Sequence, residues 1–138
     1  MVYGIGCDLC SIARMKKSLL GPHGAVFARR VFGPAEQAAL GLPLAEEEDT
    51  ARRTAHTVAS AAADFAAKEA FLKAAGTGLR EPFSLCEIEA VRLPGGAPAY
   101  HFSGRSAQWV KARRLRAHLS LSHEDGMAMA YCILETET

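Results

Sequence analysis

The chain has 138 residues, 49% of them hydrophobic and 22% charged, with 16 basic against 15 acidic side chains. That length supports one packed core, and the composition is that of an ordinary globular domain rather than a disordered tail. A net charge of +1 excludes a uniformly charged surface of the kind nucleic acid demands, and no apolar run approaches the ~20 residues a membrane-spanning helix needs.

The first residues lack the basic start and long apolar stretch of a signal peptide, so a cytoplasmic setting is expected. Residues 2–9 alternate, with Tyr3, Ile5, Cys7 and Leu9 on one face and Val2, Gly4, Gly6 and Asp8 on the other. Period two predicts a strand. Ser11 is placed to cap a helix running to about residue 20, which Gly21-Pro22-His23-Gly24 breaks. A second helix is predicted over 25–31, and Pro34 opens a third over 35–40. Residues 41–50 read as a loop with an acidic run. The alanine-rich stretch 54–75 is the longest predicted helix, stopped by Gly76-Thr77-Gly78. Residues 87–93 and 99–102 form a predicted hairpin around Pro94-Gly95-Gly96. A helix follows from Ser103 or Gly104 to about 116, and a second hairpin pairs 119–123 with 127–134. The order β-α-α-α-α-β-β-α-β-β implies an α+β fold, with an antiparallel sheet against one long helix, in a single domain over 1–138.

The four cysteines, Cys7, Cys10, Cys86 and Cys132, are expected to be free and mostly buried. Cys7 and Cys10 form one C-x-x-C. No second pair completes a zinc site, and a redox pair at a strand end is the alternative.

The long helix carries the sharpest signal. Val58, Ala62, Phe65 and Leu72 form a stripe facing the core, and Glu69 falls inside it. A carboxylate there needs a partner, either Lys73 at i+4 or a metal. Asp8 shares its strand face with Gly4 and Gly6, where another backbone or a ligand can approach closely. Asp8 either caps the following helix or meets Glu69 across the strand–helix interface. Two such carboxylates are a typical protein contribution to a Mg²⁺ site. Lys68, Lys73 and the Gly76-Thr77-Gly78 turn suit a phosphate group, although a glycine after a helix also serves as a plain C-cap. His123 continues the alternation of Leu119 and Leu121 to the mouth of the last hairpin, where it is either solvated or placed to move a proton.

Three blocks resemble the holo-acyl-carrier-protein synthases, the short 4′-phosphopantetheinyl transferases. They are Gly4-Ile5-Gly6-Cys7-Asp8-Leu9 with Ile12 and Arg14; Phe65-Ala66-Ala67-Lys68-Glu69-Ala70 leading to Lys73-Ala74-Ala75-Gly76-Thr77-Gly78-Leu79; and Leu119-Ser120-Leu121-Ser122-His123. They stand in the family's order and span almost the whole chain. The resemblance implies transfer of 4′-phosphopantetheine from coenzyme A to a serine of an acyl carrier protein, with release of adenosine 3′,5′-bisphosphate. It implies Asp8 and Glu69 as Mg²⁺ ligands, Mn²⁺ being the other metal of that chemistry. Lys73, Gly76, Thr77 and Gly78, with Lys68 beside them, then receive coenzyme A, and His123 stands at the nucleotide end. Catalysis falls to Glu69, Asp8, His123 and Lys73, with Glu69 the first candidate base and His123 the second. It also implies a homotrimer with active sites between subunits.

One position departs from the family's pattern. Asp64 stands where the family usually has an arginine. An aspartate there is expected to repel a coenzyme A phosphate or to pair with Lys68 at i+4, and so to weaken binding of the coenzyme. Arg53 lies eleven residues earlier, roughly 16 Å by helix rise, too far to replace it. A fold that keeps binding but has lost activity is the alternative reading.

The near-zero net charge conceals segregation. Residues 11–34 carry Arg14, Lys16, Lys17, Arg29 and Arg30 and no acid. Residues 35–50 carry Glu36, Glu46, Glu47, Glu48 and Asp49 and no base. Carrier proteins are typically acidic and the family resemblance implies docking at the first basic helix, so Arg14, Lys17, Arg29 and Arg30 are the expected partner-binding residues, a solvated helix face being the other reading.

Overall fold

The computed structural model describes residues 1–44 and 51–137. The acidic run Glu46–Asp49 lies outside the described residues. The chain runs β1 (Val2–Ser11), α1 (Ile12–Leu20), α2 (Gly24–Val31), α3 (Pro34–Leu40), α4 (Ala51–Ala75), a short 3-10 turn (Leu85–Glu87), β2 (Ile88–Arg92), β3 (Pro98–Phe102), α5 (Gly104–Ala112), β4 (Leu115–Glu124) and β5 (Met127–Thr136). Strands β1, β5 and β4 form one antiparallel sheet in that order, and β2 and β3 form a second. The α+β class and the element order match the sequence reading.

Local chemistry accounts for the boundaries. The Ser11 hydroxyl accepts a hydrogen bond from the Arg14 N–H at 3.2 Å and opens α1; Asp8 takes no part in this cap. The β4–β5 turn holds Asp125 and Gly126 at φ 50° and 76°, the positive angles of the turn that best suits a tight hairpin. One boundary is corrected. The helix expected to reach 116 ends at Ala112, because Arg114 adopts φ 53° and reverses the chain. β4 therefore begins at Leu115, which pairs with Thr136.

α4 lies across the three-stranded sheet and is buried on almost every side. The expected stripe understates this: Val58, Ala62 and Leu72 are buried, but so are Asp64 and Lys68, while Phe65 and Glu69 are only half-buried at the edge. Small residues make the burial possible. A Cβ at Gly6 would come within 2.0 Å of the Ala70 carbonyl oxygen, and one at Gly4 within 2.0 Å of that of Ala74. The glycine face of β1 thus receives the backbone of α4, as its lack of side chains allows. Beside this contact, Phe71 of α4 is ringed by Phe83, Tyr100, Phe102 and Trp109.

Lys68 is fully buried and donates to Glu36, to the Leu85 carbonyl at 3.1 Å and to the Ile88 carbonyl at 2.6 Å. All three of its N–H donors are engaged. Glu36 in turn accepts from the N–H groups of Gly33 and Ala90, both at 3.1 Å, and its own N–H donates to Glu89 at 2.9 Å. The cluster ties α3, α4 and β2 together. Burial pushes the Glu36 carboxyl up and the Lys68 ammonium down, and each opposes the shift of the other. Removing one partner of such a pair leaves an uncompensated buried charge. Glu36→Ala is therefore expected to cost about 3–5 kcal/mol of unfolding free energy in urea titration; a loss below about 1 kcal/mol would contradict this role.

Candidate active site

The contact of α4 with β1 brings three of the expected site residues together. Asp8 stands on the face of β1 that meets α4, two residues beyond Gly6. Lys73, one turn after Glu69, reaches back over the strand and donates to Asp8 Oδ1 at 3.0 Å and to the Cys7 carbonyl at 2.9 Å. The expected Glu69–Lys73 pair is replaced by this Lys73–Asp8 pair, because the helix sits close enough for the lysine to span to the strand. Burial and then the charge of Asp8 push the Glu69 carboxyl above its ordinary range, while Lys73 pulls it back. Asp8 in turn holds the Lys73 ammonium more firmly charged.

The donor chemistry fits an oxygen-seeking divalent cation. Two carboxylates repel each other here, and a cation between them relieves that repulsion. Among the described residues no group of three His, Cys, Asp or Glu side chains converges to form a complete protein cage. A hard cation held at Asp8 and Glu69 would need water and phosphate oxygens to complete its ligands, as Mg²⁺ commonly does.

Other expectations are corrected. Lys68, expected beside coenzyme A, is closed off in the Glu36 cluster, because it projects from α4 roughly 100° away from Glu69. It is not paired with Asp64. Asp64 is paired instead with Arg92 at 3.2 Å, and its side chain is only 5% exposed, so it does not stand free to repel a ligand. In the Gly76-Thr77-Gly78 turn, the Gly76 N–H donates to the Leu72 and Lys73 carbonyls at 3.1 Å and the Thr77 N–H to Leu72 at 3.4 Å. These groups close the helix and are not available to a phosphate. Gly76 and Gly78 have φ 80° and 65° with open space around them, so the turn leaves room beside Lys73. Cys7 is exposed, against expectation, and Cys10 is buried. Three residues apart on a strand, they point to opposite faces and cannot pair.

His123 lies apart from Asp8. β1 and β4 are the two edges of the sheet, with β5 between. Asp8 and Leu121 both pair with Ala130, so they are two strand spacings, about 10 Å, apart. His123 lines a cavity of about 350 Å³ between α4, the β2–β3 turn and β4, together with His56, Ser60 and Arg92. Ser60 is nine residues before Glu69, roughly 180° around the helix. Within one chain, the carboxylates and His123 thus occupy opposite flanks of α4. The basic residues Arg14, Lys17, Arg29 and Arg30 are all exposed on α1 and α2.

Sequence reasoning did not find Glu36, Glu89, Arg92 or His56. Glu36 carried a signal only as the third residue of a helix opened by Gly33-Pro34, a position normally read as a surface cap.

The profile of the 4′-phosphopantetheinyl transferase superfamily matches residues 4–132. The chain is 39% identical over 137 residues to the holo-[acyl-carrier-protein] synthase of Leptothrix cholodnii, covering 99% of this chain and 98% of that one. Its structure is similar to the crystal structure of the holo-[acyl-carrier-protein] synthase from Neisseria meningitidis, with TM-score 0.77, 30% identity and coverage of 99% and 100% of the two chains. It is also similar to the Bacillus anthracis holo-(acyl-carrier-protein) synthase in complex with CoA (3′,5′-ADP), with TM-score 0.73, 30% identity and coverage of 99% of each.

Proposed function

The chain belongs to the 4′-phosphopantetheinyl transferase superfamily, and from that premise we propose that it is a holo-acyl-carrier-protein synthase, transferring 4′-phosphopantetheine from coenzyme A to a serine of an apo acyl carrier protein. Residues 1–138 then act as one transferase domain. The observation that carries this reading at the level of residues is the meeting of Asp8, Glu69 and Lys73 where α4 crosses β1.

In the reaction the serine oxygen bonds to the β-phosphorus of coenzyme A. The bond from that phosphorus to the bridging oxygen breaks, and adenosine 3′,5′-bisphosphate leaves. Glu69, half-buried at the edge of α4, is the base that takes the serine proton. Lys73 supplies positive charge beside the developing phosphate negative charge, and the open Gly76–Gly78 turn admits the coenzyme next to it. Asp8 and Glu69 are the residues that would hold Mg²⁺ or Mn²⁺, which neutralises charge on phosphoryl oxygens. The reading of an impaired homologue loses its ground in Asp64, whose charge is buried against Arg92.

Assembly into a homotrimer is the third part of the proposal. The outer face of the sheet is apolar: Tyr3, Ile5 and Leu9 on β1, and Met129 and Tyr131 on β5, are 38–61% exposed. A patch of this kind marks an interaction surface. Within a single chain Asp8 and Glu69 lie on the opposite flank of α4 from His123, so a site that uses all three would draw on more than one copy. Among the described residues no helix is long and apolar enough to cross a membrane, and the four cysteines are free; both fit a cytoplasmic enzyme.

Three measurements test these statements. Incubation with coenzyme A, Mg²⁺ and apo carrier should add phosphopantetheine to the carrier by mass spectrometry, and Glu69→Ala or a chelator should abolish the adduct; retained product would refute the assignment of Glu69. Arg14→Glu should raise KM for the carrier about tenfold while leaving that for coenzyme A within about twofold, with the carrier step weakened by salt; equal effects on both would remove the basic helices from docking. Light scattering should give three copies for wild type and one for Tyr131→Asp; a monomeric wild type would refute the interface.

A further inference from the structure

From Ala61 to Ala75 every residue of α4 is buried except Phe65, Glu69 and Lys73. These three recur every fourth position and so form a single open line along the helix. Apolar packing alone selects that line poorly. It is non-directional, and the buried Ala62, Ala63, Ala66, Ala67, Ala70 and Ala74 present nearly the same small surface on several sides of the helix.

Lys68 breaks this near-symmetry. Its three N–H donors are engaged by Glu36 of α3, the Leu85 carbonyl and the Ile88 carbonyl, acceptors that lie on three different elements. The acceptor end is itself held from both sides. Glu36 accepts from the N–H groups of Gly33 and Ala90 at 3.1 Å, and its own N–H donates to Glu89, whose side chain lies 3.3 Å from His101 of β3. Lys68 directly precedes Glu69, so helix geometry fixes the angle between the two side chains at roughly 100°. Turning α4 by about 10° would carry a side-chain end at the helix radius of ~5–6 Å by about 1 Å. Metal–oxygen distances tolerate only about 0.2 Å, so a helix free to turn slightly would not keep Glu69 aimed at Asp8.

We propose that the Lys68–Glu36 pair is a positioning device for the reaction: it locks the rotation of α4 and so holds the Glu69 carboxylate toward Asp8. The inference rests on the transferase reading, which gives Glu69 its task, and adds to it two residues that are closed to solvent and touch no ligand. The glycine contact with β1 sets how near α4 lies, and the ion pair sets which way it faces. A directional polar contact can fix register where apolar packing leaves it open. This role is separable from stability, because replacing both members of a buried ion pair by neutral residues is often tolerated.

Titration of the full chain with Mn²⁺ in the presence of coenzyme A, followed by the electron paramagnetic resonance of the free ion, tests this. Lys68→Met/Glu36→Gln removes both charges and keeps an amide oxygen for the N–H groups of α3 and β2. With far-UV dichroism unchanged, it should raise half-saturating Mn²⁺ about tenfold, as loss of residues that orient metal ligands does. It should lower kcat while KM for the carrier stays within about twofold. Glu36→Asp, which keeps the charge but shortens its reach, should weaken Mn²⁺ by about threefold or more and reads the same effect if the double variant does not fold. Leu115→Ala removes core volume at the end of the sheet away from Asp8, and should lower stability in urea while moving Mn²⁺ binding by less than about twofold. Unchanged Mn²⁺ binding in the folded Lys68 and Glu36 variants, or an equal loss in Leu115→Ala, overturns the lock and leaves the transferase reading standing. A wild-type chain that binds no Mn²⁺ with coenzyme A overturns that reading, and this inference with it.

Discussion

The rest of the molecule depends on how closely α4 lies against β1. The two backbones meet at Gly4 and Gly6, where any side chain would collide with the carbonyl oxygens of Ala74 and Ala70. That contact brings Glu69 up to Asp8 and lets Lys73 reach across to the strand. A pair of carboxylates held this way is costly for the protein alone, as the raised Glu69 carboxyl shows. A cation between the two carboxylates would relieve that cost.

A helix buried on nearly all sides must satisfy every polar group it carries. α4 does so for its buried charges with two ion pairs on the side away from Asp8, while the buried Thr54 hydroxyl is left without a partner among the described residues. Lys68 is enclosed by Glu36 and two backbone carbonyls, and Asp64 is matched by Arg92. The first pair is closed to solvent and structural. The second reaches the surface through its arginine and so connects the core to a cavity. Two charged residues four apart on one helix thus have different roles, set by what lies opposite each of them.

The sheet holds two of the expected site residues apart. Asp8 is on one edge strand and His123 on the other, with β5 between. The outer face of the same sheet carries Tyr3, Ile5, Leu9, Met129 and Tyr131 in the open. An exposed apolar patch of this kind marks an interaction surface.

Much of this was legible from local pattern. Period-two alternation marked β1, Ser11 and Gly76 marked helix ends, and the spacing of Phe65, Glu69 and Leu72 put a carboxylate in a core-facing stripe, at whose edge the structure places it. These signals depend on residues near one another along the chain, where geometry is set by 3.6 or 2 residues per repeat. Pairings over long separations left no such trace. Lys68 looked like a phosphate ligand because its partner Glu36 lies 32 residues away, and Asp64 looked like a repulsive charge or a partner for Lys68 because Arg92 lies 28 residues away. The residues of Asp8, Glu69 and Lys73 were readable in order and type. Which lysine reaches the site, and which arginine meets Asp64, followed only from the packing of α4 against β1, α3 and β2, because a buried charge takes its partner from whatever the folded chain places opposite it.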